Sequence, residues 1–242
     1  MRLDKFLTEL GVGTRSEVKK LIKAKKIQVN GGTATKPEQK IDELSDVVSY
    51  QGTQLVYQKY EYYLFHKPAG CVTATEDRTH TTVMDYLKDT TRKDLFPVGR
   101  LDLDTEGLLL ITNDGQMAHE LLSPVKHVPK TYYAKIAGEV TEDDANLFEK
   151  GVDIGEDEPA KPADLEILSA GEESEVYVTI TEGKFHQVKR MFHAVGKEVV
   201  YLKRLKMGPL TLPEDLAKGA FRPLKEEELI QLQNATGCTK ER

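Results

Sequence analysis

Gly99-Arg100-Leu101-Asp102-Leu103-Asp104-Thr105-Glu106-Gly107-Leu108-Leu109-Leu110-Ile111-Thr112 sets two carboxylates and an arginine between glycines, directly ahead of an uninterrupted apolar run. An apolar run that ends in Asn113-Asp114-Gly115 reads as a buried strand closed by a turn. Asp102 then sits on a loop fixed by the core, where a reactive side chain can be held firmly. A solvated acidic turn ahead of a strand fits the same residues, so the rest of the chain has to decide between the two.

At 242 residues the chain is long for one domain and suits two compact units. It contains no apolar run long enough to span a bilayer, and Met1-Arg2-Leu3-Asp4-Lys5 lacks the apolar stretch of a signal peptide. Cys71 and Cys238 are too few for a disulfide framework and have no metal-ligand spacing. The expectation is a cytoplasmic protein with no membrane partner, acting as a monomer.

A formal net charge of −6 argues against a polyanionic partner, but its distribution argues for one. Residues 1–30 carry eight Lys/Arg against three Asp/Glu. A second basic cluster comprises Lys184, Lys189, Arg190, Lys197, Lys203, Arg204 and Lys206, with only Glu198 opposing it. Acid gathers instead at 141–158. Two basic patches on an acidic body suit a polyanion held on one face, although charge runs also serve simply to solvate helices.

Leu3, Phe6, Leu7 and Leu10 have helical spacing, and Gly11 and Gly13 end that helix. Thr14 with Glu17 reads as a capping box opening a helix over about 15–24. Val18, Leu21 and Ile22 form its apolar side, with Arg15, Lys19, Lys20 and Lys23 on the other. Ile27-Gln28-Val29 alternates like a strand, Asn30-Gly31 signals a hairpin, and short strands follow near 46–50 and 54–57. These make a unit of residues 1–58. Beyond it, Tyr62-Tyr63-Leu64-Phe65 reads as a strand stopped at His66-Lys67-Pro68-Ala69-Gly70. The polar run 73–82 reads as a loop, 83–87 as a short helix and 115–122 as a longer one. Strands are expected at 132–136 and 176–180, a helix starting at Thr141, and another over 186–195 with Val188, Met191, Phe192 and Val195 on one face.

With those residues placed, the chain resembles the bacterial ribosomal small-subunit pseudouridine synthases over about residues 1–232. Arg2-Leu3-Asp4-Lys5-Phe6-Leu7, Arg15-Ser16, Leu21-Ile22 and Val29-Asn30-Gly31 resemble the RNA-binding domain named after ribosomal protein S-four. That motif is widespread and says little about chemistry. Lys25 departs from it, standing where the family usually has glycine. The enzyme motifs are more specific. Lys67-Pro68-Ala69-Gly70 resembles the first, Gly99 to Gly107 the catalytic one, Lys130-Thr131-Tyr132 the tyrosine motif, and Gly183 to Met191 the closing one. The resemblance implies an α+β protein. It would join a small helix-and-hairpin RNA-binding domain (1–58) to a catalytic domain (59–232) on a mixed, mostly antiparallel sheet, followed by a tail (233–242).

It also implies isomerisation of a uridine in ribosomal RNA, most readily the 16S small-subunit RNA, with no cofactor and no metal. The partner would be that RNA or an assembling ribosomal subunit. Breaking the N1–C1′ bond builds positive charge on the sugar, which a carboxylate can attack or stabilise. The resemblance gives that role to Asp102; attack on the sugar, attack on the base and removal of a sugar proton remain open. The target base has to leave its stack to be reached. Arg100 would fill the vacated space or clamp a phosphate. By the register of the closing motif, Lys189 would be the cationic partner of Asp102, ahead of its neighbour Arg190; adjacent helix residues point about 100° apart, so the two do not share a direction. Tyr132 offers a ring for stacking and a hydroxyl for proton relay. His186 and Lys67 would line the cleft or contact phosphate. Arg2, Lys5, Arg15, Lys19, Lys20, Lys23 and Asn30 would hold RNA on the first unit. Three other readings compete: a non-catalytic RNA-binding or ribosome-assembly factor on the same fold, the same reaction on large-subunit RNA, whose enzymes share all four motifs, and a metal-dependent nuclease or transferase using Asp102 and Asp104 as an Asp-x-Asp pair.

Overall fold

The computed structural model describes residues 1–43, 45–88, 90 and 92–238. The chain forms two compact units, one of Met1–Tyr60 with Asp89–Leu95, the other of Glu61–Lys88 with Phe96–Arg242. The boundary lies two residues beyond the expected 58, and the first unit takes in a later segment. Arg92 explains that return: its buried guanidinium binds Asp94 at 2.7 and 2.9 Å and the Gln58 carbonyl at 3.4 Å.

In the first unit, α1 (Leu3–Glu9) and α2 (Arg15–Lys23) pack on a sheet of β1 (Ile27–Val29), β2 (Gly32–Thr33), β3 (Val48–Tyr50) and β4 (Thr53–Leu55), ordered β2-β1-β3-β4. Leu3, Phe6, Leu7, Val18, Ile22, Ile27 and Val48 form its core. The capping box closes as expected: the Thr14 N–H donates to Glu17 at 2.8 Å, and the Glu17 N–H donates back to Thr14 Oγ1 at 3.4 Å. Asn30 and Gly31 both have positive φ, which matches the right-handed twist of a two-residue hairpin. Lys25 takes φ 58° where glycine would be at ease, so the lysine adopts the left-handed turn rather than rebuilding it.

The second unit is built on one mixed sheet. Its strands are β5 (Tyr62–Lys67), β6 (Phe96–Pro97), β7 (Glu106–Thr112), β8 (Lys130–Ala137), β9 (Asp164–Ser169), β10 (Glu173–Ile180), β11 (Glu198–Met207), β12 (Leu210–Thr211) and β13 (Phe221–Pro223). The order is β13-β5-β7-β11-β8-β10-β9, with β6 on β7 and β12 on β11. All pairings are antiparallel except β7 with β11, which is parallel through only Glu106 opposite Lys203 and Gly107 opposite Arg204. Its helices are α3 (Gly115–Leu122), α4 (Glu142–Lys150), α5 (Gln187–Ala194) and α6 (Glu226–Thr236), with a 3₁₀ turn at Val83–Leu87. The inner face of β8, β10 and β11 supplies Ala134, Ile136, Val176, Val178 and Leu202 to a core shared with Phe148 of α4 and Phe192 of α5.

Several expectations change. β5 does not stop at His66 but runs through Lys67, because Lys67 still pairs with Gly107 on the buried β7. The basic cluster at 184–206 is not one patch: part lies on or before α5 and part on β11, where Arg204 is 2% exposed. The tail expected from 233 begins inside α6, and Thr236 is buried with its hydroxyl 3.2 Å from the Met117 sulfur. Among the described residues no helix is long and apolar enough to cross a membrane.

Gly107 lets β7 approach β11. It has φ 112°, and a Cβ there would lie 2.6 Å from the Arg204 nitrogen and collide with the Arg204 carbonyl. Gly107→Ala should lower stability by ~3 kcal/mol or more, combining backbone strain with a forced separation of the strands. A melting temperature within a degree or two of wild type would contradict that account.

Candidate active site

The buried strand β7 delivers the 99–105 loop to one face of the sheet, and a side chain outside that loop holds it there. Lys67, 0% exposed at the end of β5, directs its ammonium at four carbonyls: Asp102 and Thr105 at 2.9 Å, Pro68 at 3.1 Å and Leu103 at 3.4 Å. Two further residues fix the loop from the same side. The Gly70 N–H donates to the Leu103 carbonyl at 2.8 Å. Thr73 Oγ1 donates to the Leu101 carbonyl at 2.8 Å and accepts from the Leu101 N–H at 3.1 Å. Burial pulls the Lys67 ammonium below the ordinary lysine range, against the opposing influence of Cys71, Asp104 and Asp102. The expectation that Lys67 lines the cleft or touches phosphate is corrected: it does neither, because its donors are spent inside the protein.

The loop opens onto a cleft of about 720 Å³, lined by Arg100, Asp102, Tyr132, Val188, Lys189 and others. The Asp102 side chain keeps a quarter of its surface exposed. Its Oδ2 lies 3.4 Å from Lys189 Nζ and its Oδ1 3.5 Å from His186 Nε2. Lys189 holds Asp104 more closely, at 2.6 and 2.8 Å from the two carboxylate oxygens. Burial raises the Asp104 carboxyl, but the Lys189 hydrogen bond and charge, with a backbone hydrogen bond and His186, outweigh it and leave it below the usual carboxylate range. The ammonium thus sits between the two aspartates, in the place the Asp-x-Asp reading would give to a cation. Among the described residues no group of three or more metal-ligating side chains comes together.

The helix α5 separates its two adjacent cations as helical geometry requires. Val188, Met191 and Phe192 face the core, and Lys189 reaches the two aspartates. Arg190 turns away to Glu156, to the Ile154 carbonyl and to the Phe185 carbonyl, and it does not line the cleft. Its expected role as an RNA contact therefore meets a guanidinium already engaged. His186, at φ 49°, is the residue that turns the chain into α5, and its ring stacks on Phe185 with centroids 3.8 Å apart. Arg100 is exposed and Tyr132 is 7% exposed.

On the first unit, Lys5, Arg15, Lys19, Lys20 and Lys23 are exposed as expected. Arg2 is exposed but tied to Asp4 by two bonds of 2.9 Å. Asn30 is a correction. Its amide donates to Asp46 at 2.8 Å and its carbonyl accepts from the Val47 N–H at 2.8 Å, so the side chain staples a turn instead of reaching for RNA.

The sequence assigns no site role to Thr73, Lys130, Glu182 or Arg204, although Lys130 stands in the tyrosine motif and Arg204 in the basic cluster; all four line the cleft. Lys130 was within reach, since it lies two residues before Tyr132 on a strand and therefore shares its face. Replacing Lys67 with Met should cost about 2 kcal/mol or more, because buried carbonyls would be left without donors. Thermal unfolding monitored by circular dichroism checks this, and an unchanged midpoint would remove Lys67 from its structural role.

The known proteins that this chain is similar to share one description. The RNA pseudouridylate synthase family matches residues 61–194, and the S4 domain family matches residues 1–48. The uncharacterized RNA pseudouridine synthase YtzG of Bacillus subtilis (strain 168) is 47% identical over 231 residues, covering 95% of this chain and 97% of its own. Ribosomal small subunit pseudouridine synthase A of Escherichia coli (strain K12) is 42% identical over 235 residues, covering 96% and 100%. A crystal structure of a pseudouridylate synthase superposes with a TM-score of 0.68 at 38% identity, covering 96% of this chain and 99% of that one. Matched by the family through its catalytic unit and by relatives almost end to end, the chain belongs to the RNA pseudouridine synthases and carries an S4 domain at its N-terminus.

Proposed function

We propose that this protein converts one uridine of small-subunit ribosomal RNA to pseudouridine, with Asp102 as nucleophile. The observation that carries the reading is the Asp102 carboxylate, held on a clamped loop 3.4 Å from an ammonium and open to a cleft walled by Tyr132. The names of the relatives that match nearly the full chain support the choice of RNA. A cytoplasmic location goes with that substrate.

In this reading the uridine swings out of its stack and its base enters the cleft. A carboxylate oxygen of Asp102 bonds to C1′ as the N1–C1′ bond breaks, and its electron pair leaves on the base. The base turns, C5 attacks C1′, the carboxylate departs, the proton on C5 passes to a base or water, and N1 takes up a proton in exchange. Atoms and electrons balance with no outside reagent. Lys189 keeps a cation beside the attacking group. Tyr132, in the lining of the cleft, serves as a stacking surface for the displaced base and offers its hydroxyl for a proton relay. Arg100, exposed beside Asp102, is available to the RNA strand that the uridine has left. The cations of α2 hold RNA through its phosphates.

Tritium release from rRNA labelled at uridine C5 tests the chemistry. Wild type should release label in the presence of EDTA and Asp102→Asn should not; release by that variant at the wild-type rate would refute the role of Asp102. The RNA-binding face is tested by changing Arg15, Lys19, Lys20 and Lys23 together to Gln. The slope of log affinity against log salt should flatten by about 0.7–0.9 for each phosphate that the variant no longer neutralises. An unchanged slope would make the charge on α2 incidental.

A further inference from the structure

At the inner end of the cleft are two cationic side chains that the chemistry above does not use. Lys130 and Tyr132 share one face of β8, and Arg204 lies opposite Tyr132 on β11. Lys130 is 7% exposed and Arg204 2%, yet both line the cleft. The Lys130 ammonium has three donors, and one is used, on the Val128 carbonyl at 3.1 Å. Arg204 donates from Nε to the Leu108 carbonyl at 2.8 Å, while its buried Nη2 has no partner. Lys67 makes the contrast plain: a buried lysine with a purely structural task has four carbonyls around it. Among the described residues no carboxylate forms an ion pair with Lys130 or Arg204. Two buried cations with donors to spare, in a cleft that admits a ligand, call for oxygen atoms that the ligand brings.

We propose that Lys130 and Arg204 form a donor floor that binds a carbonyl oxygen of the extruded uracil and stabilises the negative charge the base acquires when N1–C1′ breaks. The cleft walls favour the base over a phosphate. Tyr132, Val188, Ile180 and Leu202 present an aromatic and apolar lining next to the floor, which fits a flat heterocycle. A phosphate that deep would have to draw two flanking RNA strands into a site walled by buried strands and helices. The detached uracil shares the charge left on N1 with its exocyclic O2 and O4, so a donor that meets one of these oxygens is worth more after bond cleavage than before. Lys130 and Arg204 thereby act on the reacting base, while Asp102 acts on the sugar.

The proposal rests on the pseudouridine synthase reading, and the test separates the two. Single-turnover tritium release would be measured for wild type and Lys130→Met on labelled small-subunit rRNA, together with RNA affinity and melting temperature. The floor predicts a loss of about 10²-fold in the rate, as for removal of one oxyanion donor, with RNA affinity and fold unchanged. A pH profile supplies a readout that a packing role would not move. Burial and the charge of Arg204 pull Lys130 down to about 8, with Glu182 opposing them. The other charged groups around the cleft are Asp77, Arg100, Asp102, Lys184, His186 and Lys189. Since protonated Lys130 is the donor, wild-type kcat/KM should fall as pH rises through about 8, and the residual activity of Lys130→Met should lack that limb. If Lys130→Met does not fold, Lys130→Gln takes its place. A variant rate within threefold of wild type, or the same alkaline limb in the variant, would overturn the floor. Absence of release by wild type itself would sink the pseudouridine synthase reading instead.

Discussion

The catalytic unit depends on one buried ammonium. Lys67 gathers the carbonyls of Pro68, Asp102, Leu103 and Thr105 around a single charge, and the last three belong to the loop that carries Asp102. A loop of alternating Leu and Asp has little reason of its own to adopt one shape. Wrapped round a cation in a dry setting it has strong reason, because each carbonyl pulled away would leave both itself and the lysine unsatisfied. β5 supplies the cation, β7 supplies the loop, and their antiparallel pairing at Lys67 and Gly107 brings the two together. The apolar run after the loop follows from the same requirement: the strand has to be buried for the lysine beside it to be dry.

Charge on the working side of the loop is arranged differently. The Lys189 ammonium reaches both Asp102 and Asp104, with the shorter contacts to Asp104. Asp104 thus steadies the lysine while leaving Asp102 a looser, ionic contact and free lone pairs. His186 and Lys189 come from α5 and the turn into it, and the apolar side of that helix is anchored by Val188, Met191 and Phe192. Positions that alternate between core and cleft around one short helix set the depth at which the cation meets the carboxylate.

Much of this was legible in the sequence wherever a local rule governs. The run Leu108 to Ile111 could be little else than a buried strand, Thr14 with Glu17 had to cap a helix, and Asn30-Gly31 had to turn a hairpin. Asp102 and Lys189 stood out through the motifs around them. What escaped was set by distant partners. Lys67 reads like any lysine before a proline, and only the fold reveals that four carbonyls surround it. Asn30 looked like a polar side chain offered to RNA, but Asp46 and the Val47 N–H, sixteen and seventeen residues on, claim it. β11 hid behind its own charges: Lys203 and Arg204 point to opposite faces, so one basic run holds an outward-facing cation and a buried one. Arg190 was drawn off by an acidic segment more than thirty residues away.

The parallel contact between β7 and β11 divides the large sheet into two antiparallel halves joined by two residue pairs. The aspartate loop belongs to one half; Tyr132, Lys130, Arg204 and α5 belong to the other. Tyr201 to Glu106 at 2.6 Å and Arg204 to the Leu108 carbonyl at 2.8 Å add to that join, yet along the path of the sheet it is the shortest ladder, and it lies next to the Asp102 loop. A shear along that join would leave every other strand pairing intact and carry Asp102 away from Tyr132, Lys130 and Arg204, so that opening the cleft and parting the groups that line it would be one and the same movement. Neither half supplies the whole lining of the cleft without its counterpart.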